Sequence, residues 1–190
     1  MAASKPDPRP DPLPPGPIAC LSAQELRERL DEEIGRAGRG GTALSCLLVT
    51  IVNLEELARE HGSELSERTL AYAATTLRRQ LRRFDRIGRP SASELLVVLP
   101  GADGPRGEIV ARRVLDRLRA IKVEAEGTRM PLRISVGLAT WRKDASAEDL
   151  LAETRTAAQR RRGGDSAASL AEAAAHASGS PPALGRPGPS

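Results

Sequence analysis

The chain has 190 residues, with 29 Lys and Arg against 25 Asp and Glu and a formal net charge of +4, a length that supports one ordinary domain and excludes two well-cored ones. Three aromatic residues in all, Tyr72, Phe84 and Trp141, leave no platform for stacking successive bases, so nucleic acid is a disfavoured partner. Cys20 and Cys46 fit neither a disulfide framework nor a zinc ribbon, and His61 is the one histidine ahead of the C-terminal stretch, which excludes a histidine metal cluster.

Residues 1–19 contain seven of the fifteen prolines and residues 167–190 are mostly Ala, Ser, Gly and Pro. Neither stretch has the apolar periodicity that would offset the entropy of ordering, and both are predicted to be disordered tails. Lys5 and Arg9 balance Asp7 and Asp11, and Arg186 balances Glu172, so the whole positive excess falls on a domain expected over residues 20–166. The opening MAASKPDPRP lacks an apolar signal region and no window approaches a membrane span, which predicts a soluble, cytoplasmic protein with no membrane partner.

In chain order, Ser22 and Glu25 form a capping box ahead of a helix to Ala37, with Leu26, Leu30 and Ile34 at helical spacing. Leu44 to Val52 is short and nearly all apolar, as a strand covered on both faces requires. A short helix from Leu54 to Glu60 stops at Gly62, and a longer one from Glu64 to Arg83 sets Leu70, Ala73, Leu77, Leu81 and Phe84 along one side. Leu95 to Leu99 is a second buried strand, closed by Pro100. Asp103-Gly104-Pro105 opens a helix to Ile121, with proline where its missing donor costs nothing. Leu132 to Ala139 is a third strand, with Lys122 to Glu126 able to pair with it through Gly127-Thr128, and Ser146 with Asp149 caps a last helix running to Arg160-Arg161-Arg162. The alternation of helix and strand predicts an α/β sandwich.

The segment from Arg82 through Asp85, Arg89 and Ser91-Ala92-Ser93-Glu94-Leu95 to Pro100 resembles the centre of the GGDEF family of diguanylate cyclase domains. The family pattern runs R-x-x-D, three residues, R, one residue, G-G-D/E-E-F, then an apolar strand and often proline. Ser135-Val136-Gly137-Leu138-Ala139 is similar to the family's S-I-G-V-A strand, and Ala111-Arg112-Arg113 to its A-E-R helix. The resemblance covers residues 21–166. It implies an α/β, nucleotidyl-cyclase-like sandwich with a central, mostly antiparallel sheet of about five strands surrounded by helices.

Active members, as the resemblance implies, condense two GTP into cyclic di-GMP with two divalent cations, which demand carboxylate ligands. The positions implied for those ligands hold Thr50, Val52 and Ser93, with Glu94 as the one retained acid of the signature. The signature glycines become Ser91 and Ala92, the guanine-reading pair becomes Ala58 and Glu67, the lysine that follows D-x-D becomes Glu55, and the C-terminal phosphate lysine falls near Arg162. On this reading these are degenerate active-site positions. No catalytic residue, metal or cofactor is expected, and the chain is predicted not to be an enzyme.

The R-x-x-D of the family's second, inhibitory site is present. Arg82 and Asp85 meet its spacing, and Arg113 matches the supporting arginine of the following helix. An arginine fork can donate to O6 and N7 of guanine while a carboxylate accepts from N1 and N2, and Arg78, Arg86 and Arg89 are near enough in sequence to neutralise phosphates. Placed three apart at a helix end, Arg82 and Asp85 would share a face, although the same spacing also suits a plain surface ion pair. The leading expectation is therefore a cyclic di-GMP receptor. The alternative is a nucleotide-independent module that binds a protein partner or forms a homodimer, and retained GTP binding without turnover is a third reading.

Overall fold

A computed structural model describes residues 20–162. The predicted tails, and residues 163–166 of the expected domain, lie outside the described residues.

The Ser22 capping box forms as expected. Its hydroxyl accepts from the Glu25 amide at 3.3 Å and the Glu25 carboxylate accepts from the Ser22 amide at 2.8 Å, starting α1 (Ala23–Gly40), which Gly41 ends at φ +60°. The nearly all-apolar run becomes β1 (Leu44–Ile51), buried at every position. Then follow α2 (Leu54–His61), α3 (Ser63–Arg79), β2 (Arg86–Ser91), β3 (Glu94–Pro100) and α4 (Gly104–Arg119). The chain continues through β4 (Lys122–Ala125), β5 (Thr128–Pro131), β6 (Ile134–Thr140) and α5 (Ala147–Arg162).

The central sheet has the order β2-β3-β1-β6 with every neighbour antiparallel. The fold is the α/β sandwich expected, but the central sheet has four strands rather than about five, because β4 pairs with β5 in a separate two-stranded ribbon and not with β6. The strand period of two then sorts the core. Leu47, Val49 and Ile51 of β1 and Leu95, Val97 and Leu99 of β3 pack with α2, α3 and α4, whereas Cys46, Leu48, Leu96 and Val98 face α1 and α5. Burial in the middle layer pushes the Cys46 thiol up to about 12, which leaves it a small hydrophobe in effect.

Two elements depart from expectation. The long helix stops at Arg79 rather than Arg83, because the chain turns at Gln80 and closes a β-turn over Arg82 to Asp85, with the Asp85 amide donating to the Arg82 carbonyl at 3.2 Å. Phe84 therefore lies on the turn, 71% exposed, and not along the helix's apolar side. β2 was not anticipated at all. It lies at the sheet edge, shifts register between Gly88 and Ser91, and is joined on its outer side by Leu21, whose amide donates to Ile87 and whose carbonyl accepts from Arg89. Among the described residues no helix is long and apolar enough to cross a membrane.

Candidate functional site

The turn after α3 and the exposed side of α4 enclose a cleft of about 360 Å³. Arg82 and Asp85 reach it from the turn and Arg113 from α4, so the structure brings together the three residues singled out from the sequence. Leu81, Ile109 and Val110 supply its apolar lining, and Arg79 and Arg106 line it as well. Arg106, Ile109 and Arg113 stand on one side of α4 because positions three, four and seven apart do so. That spacing was present in the sequence, but Arg106 and Ile109 were not singled out.

The turn is held by its own polar groups. The Asp85 carboxylate accepts from the Arg82 amide at 2.7 Å, and Arg78 donates to the carbonyls of Asp85 at 2.9 Å and Arg83 at 3.4 Å. Arg86 donates to the Arg83 carbonyl at 3.3 Å, and Arg113 donates to the Gln80 carbonyl across the cleft. Arg78 and Arg86, which sequence reasoning offered to ligand phosphates, are thus engaged with backbone carbonyls of the turn. Arg82 and Asp85 meet through a β-turn and an amide-to-carboxylate bond, correcting the helical placement inferred from their spacing.

Asp85 is 5% exposed. Burial pushes its carboxyl above the usual aspartate range, against the pull of Arg82, Arg78 and Arg113, which favour the charged form. The native state therefore holds this proton more tightly than the unfolded chain does, and stability falls as pH rises through the window between the two values. Wild type should accordingly lose stability relative to Asp85→Asn as pH rises from about 4, the ordinary aspartate range. Paired thermal melts across that window check the sign. A difference that grows in favour of wild type would contradict it.

The signature region lies elsewhere, at the β2–β3 hairpin. Ser91 pairs with Glu94 across a two-residue turn of Ala92 and Ser93, neither of which has positive φ, so this turn makes no demand for glycine. The Ser91 hydroxyl donates to Glu94 at 3.0 Å, and the Ser93 carbonyl accepts from the Ile51 amide at 3.0 Å. Thr50 is buried on β1 opposite Glu94 on one side and Ser135 on the other, Val52 is partly exposed just past the strand, and Ala58 stands on α2. Among the described residues no three His, Cys, Asp or Glu side chains gather as metal ligands. This donor set, with Glu94 as its one carboxylate, does not fit the two-cation site that the resemblance implies.

Arg89 belongs to this second region and not to the cleft. Its guanidinium makes a fork to Glu67 of α3 at 2.7 and 2.8 Å and reaches the Ala92 carbonyl at 3.4 Å. The pair holds the Glu67 carboxyl below its ordinary range. Twenty-two positions separate Glu67 from Arg89, so no local pattern announces the contact.

The family described as diguanylate cyclase, GGDEF domain, matches residues 22–165, and the chain belongs to that family. It is 25% identical over 123 residues to diguanylate cyclase DgcP of Pseudomonas aeruginosa, a match that covers 65% of this chain and 18% of that protein. The fold is similar to that of diguanylate cyclase SiaD of Pseudomonas aeruginosa, solved in complex with its activator SiaC, with a TM-score of 0.71 at 24% identity over 75% of this chain and 55% of that one. It is also similar to the GGDEF domain of DgcB from Caulobacter crescentus, solved in complex with c-di-GMP, with a TM-score of 0.72 at 16% identity over 82% of this chain and 94% of that one.

The family match corrects one expectation. The chain was predicted not to be an enzyme from the joint departure of Thr50, Val52, Ser93, Ser91, Ala92, Ala58 and Glu55 from the family pattern, yet the family and the curated relative are both diguanylate cyclases, and the chain falls in an enzyme family. Substitutions at a few positions do not remove a likeness that extends over the whole domain.

Proposed function

We propose that the domain binds cyclic di-GMP in the Arg82–Asp85–Arg113 cleft, as a receptor or as a site that controls the domain's output. The observation that carries this reading is the meeting of those three side chains around one cleft, although Arg113 is 28 positions beyond Asp85 and on a different element. The crystal structure of the DgcB domain with c-di-GMP supports the ligand class. In the proposed complex Asp85 accepts from guanine N1 and N2, the Arg82 and Arg113 guanidiniums donate to the O6 and N7 edge or to phosphate, and Ile109 and Val110 cover a base face. A buried carboxyl that stays above its ordinary range despite three neighbouring arginines is the kind of group a binding site retains at a cost to the empty fold.

Calorimetry tests this. Arg82→Ala should weaken cyclic di-GMP binding by about 1 to 3 kcal/mol, and Asp85→Asn should weaken it while preserving the turn, since an amide oxygen still accepts from the Arg82 amide. No heat from wild-type protein at hundreds of micromolar ligand would overturn the reading. Conversion of GTP, followed in the same samples, separates a controlling site from a receptor.

A second reading, a protein-binding module, draws on Phe84 and Ile109. They are 71% and 67% exposed; Ile109 lines the cleft, and Phe84 lies on the turn between Arg82 and Asp85, which line it. Partner binding that survives the Arg82 and Asp85 substitutions but not Phe84→Ala would favour it.

A further inference from the structure

We infer that the same cleft takes guanosine oligophosphates, single guanine nucleotides bearing several phosphates in one or two short open chains, in competition with cyclic di-GMP. The inference rests on Asp85 as the guanine acceptor and goes beyond it in ligand class.

Charge is the first argument. Arg79, Arg82, Arg106 and Arg113 line the cleft against one carboxylate, that of Asp85. A cyclic dinucleotide brings two guanines and two singly charged phosphodiesters. The cleft offers one acceptor for a guanine's N1 and N2 and a lining of net positive charge, even with Arg113 and Arg106 also donating to the Gln80 and Gly101 carbonyls, which matches one base carrying several phosphates better than two bases carrying two.

Size is the second. About 360 Å³ is at the lower end of the ~300–1,000 Å³ usual for ligand pockets, room for one nucleoside with its remainder outside. Shape is the third. The cleft continues into a shallow groove along α4 that shares Ile109 and Arg113 with it and runs on past Arg112 and Arg117. Arg106 to Arg117 spans roughly 16 Å of helix at 1.5 Å per residue, a row of exposed guanidiniums along which a linear phosphate chain can lie. Glu108 and Asp116 also line the groove and offset part of its positive charge. A compact cyclic ligand held by Asp85, Arg82 and Arg113 leaves Arg112 and Arg117 of the groove unused.

The test is displacement of a fluorescent cyclic di-GMP probe from the full chain by guanosine 3′,5′-bis(diphosphate) and by GTP, with ATP as the base control, backed by direct calorimetry. Both guanosine ligands should displace the probe and ATP should not. Arg106→Ala should weaken the guanosine oligophosphates on the order of ten- to a hundredfold, the value of a charge-assisted contact, while shifting cyclic di-GMP less. Asp85→Asn should abolish the preference for guanosine over adenosine. Circular dichroism confirms that each variant is folded. Retained cyclic di-GMP binding with no displacement overturns the inference alone, as does equal displacement by ATP, which marks a plain sink for polyanions. Failure of wild type to bind cyclic di-GMP overturns the preceding reading instead, and direct calorimetry with the guanosine ligands then decides the inference separately.

Discussion

Replacing Gly137 with alanine is expected to destabilise the domain by about 3 kcal/mol or more, a large share of the ~5–15 kcal/mol typical of a domain this size. A Cβ at Gly137 would lie 2.2 Å from the Thr154 carbonyl oxygen and 2.4 Å from the Ala158 amide nitrogen. Both are backbone atoms of α5, so no side chain can rotate away and the helix itself must lift from β6. That helix is tied down beside the same position, where the Ser135 hydroxyl donates to the Ala158 carbonyl at 2.6 Å. Lifting it would break a buried hydrogen bond as well as the packing around Leu150 and Ala158. Urea denaturation checks the value. A loss under about 1 kcal/mol would mean that α5 shifts freely and that the close fit contributes little.

Leu47→Ala should cost roughly 2 to 5 kcal/mol, the range for deleting a core leucine whose cavity cannot collapse. Leu47 is fully buried on β1, opposite Val97 of β3 and Leu138 of β6, so rigid strands flank the space that would be left. The midpoint of chemical unfolding should fall with its slope unchanged. Phe84→Ala is the control, expected to stay within about 0.5 kcal/mol of wild type because the ring is solvated. A large loss at Phe84 together with a small one at Leu47 would invert the assignment of core and surface.

The elements that were legible in the sequence owe this to patterns a few residues long. β1 and β3 are continuous apolar runs because helices cover both faces, and α1 announces itself through Ser22, Glu25 and its leucine spacing. β2 was hidden because Arg86-Ile87-Gly88-Arg89-Pro90-Ser91 has one large apolar side chain, a glycine pressed against Leu26 and a proline tolerated only at an edge or bulge. The apolar spacing that carries α3 persists to Leu81 and Phe84, so periodicity ran past the true end at Arg79, where the turn at Asp85 prevails.

At the site, Arg82, Asp85 and Arg113 were found through a resemblance, and their convergence needed the fold. The roles of the neighbouring arginines could not be read from composition. Arg78 and Arg86 hold carbonyls of the turn, and Arg89 leaves it for Glu67, because backbone acceptors and a distant carboxylate carry no sequence signature.

The pairing of Leu21 with β2 has a further consequence for self-association. An outer strand normally exposes a row of amides and carbonyls on which another chain can template itself. Along β2, Leu21 already takes the Ile87 carbonyl and the Arg89 amide, and Pro90 offers no amide at the next position. The border that leads from the Asp85 turn to the hairpin is therefore closed to strand addition by the chain's own backbone, and molecules that meet at this end must do so through side chains.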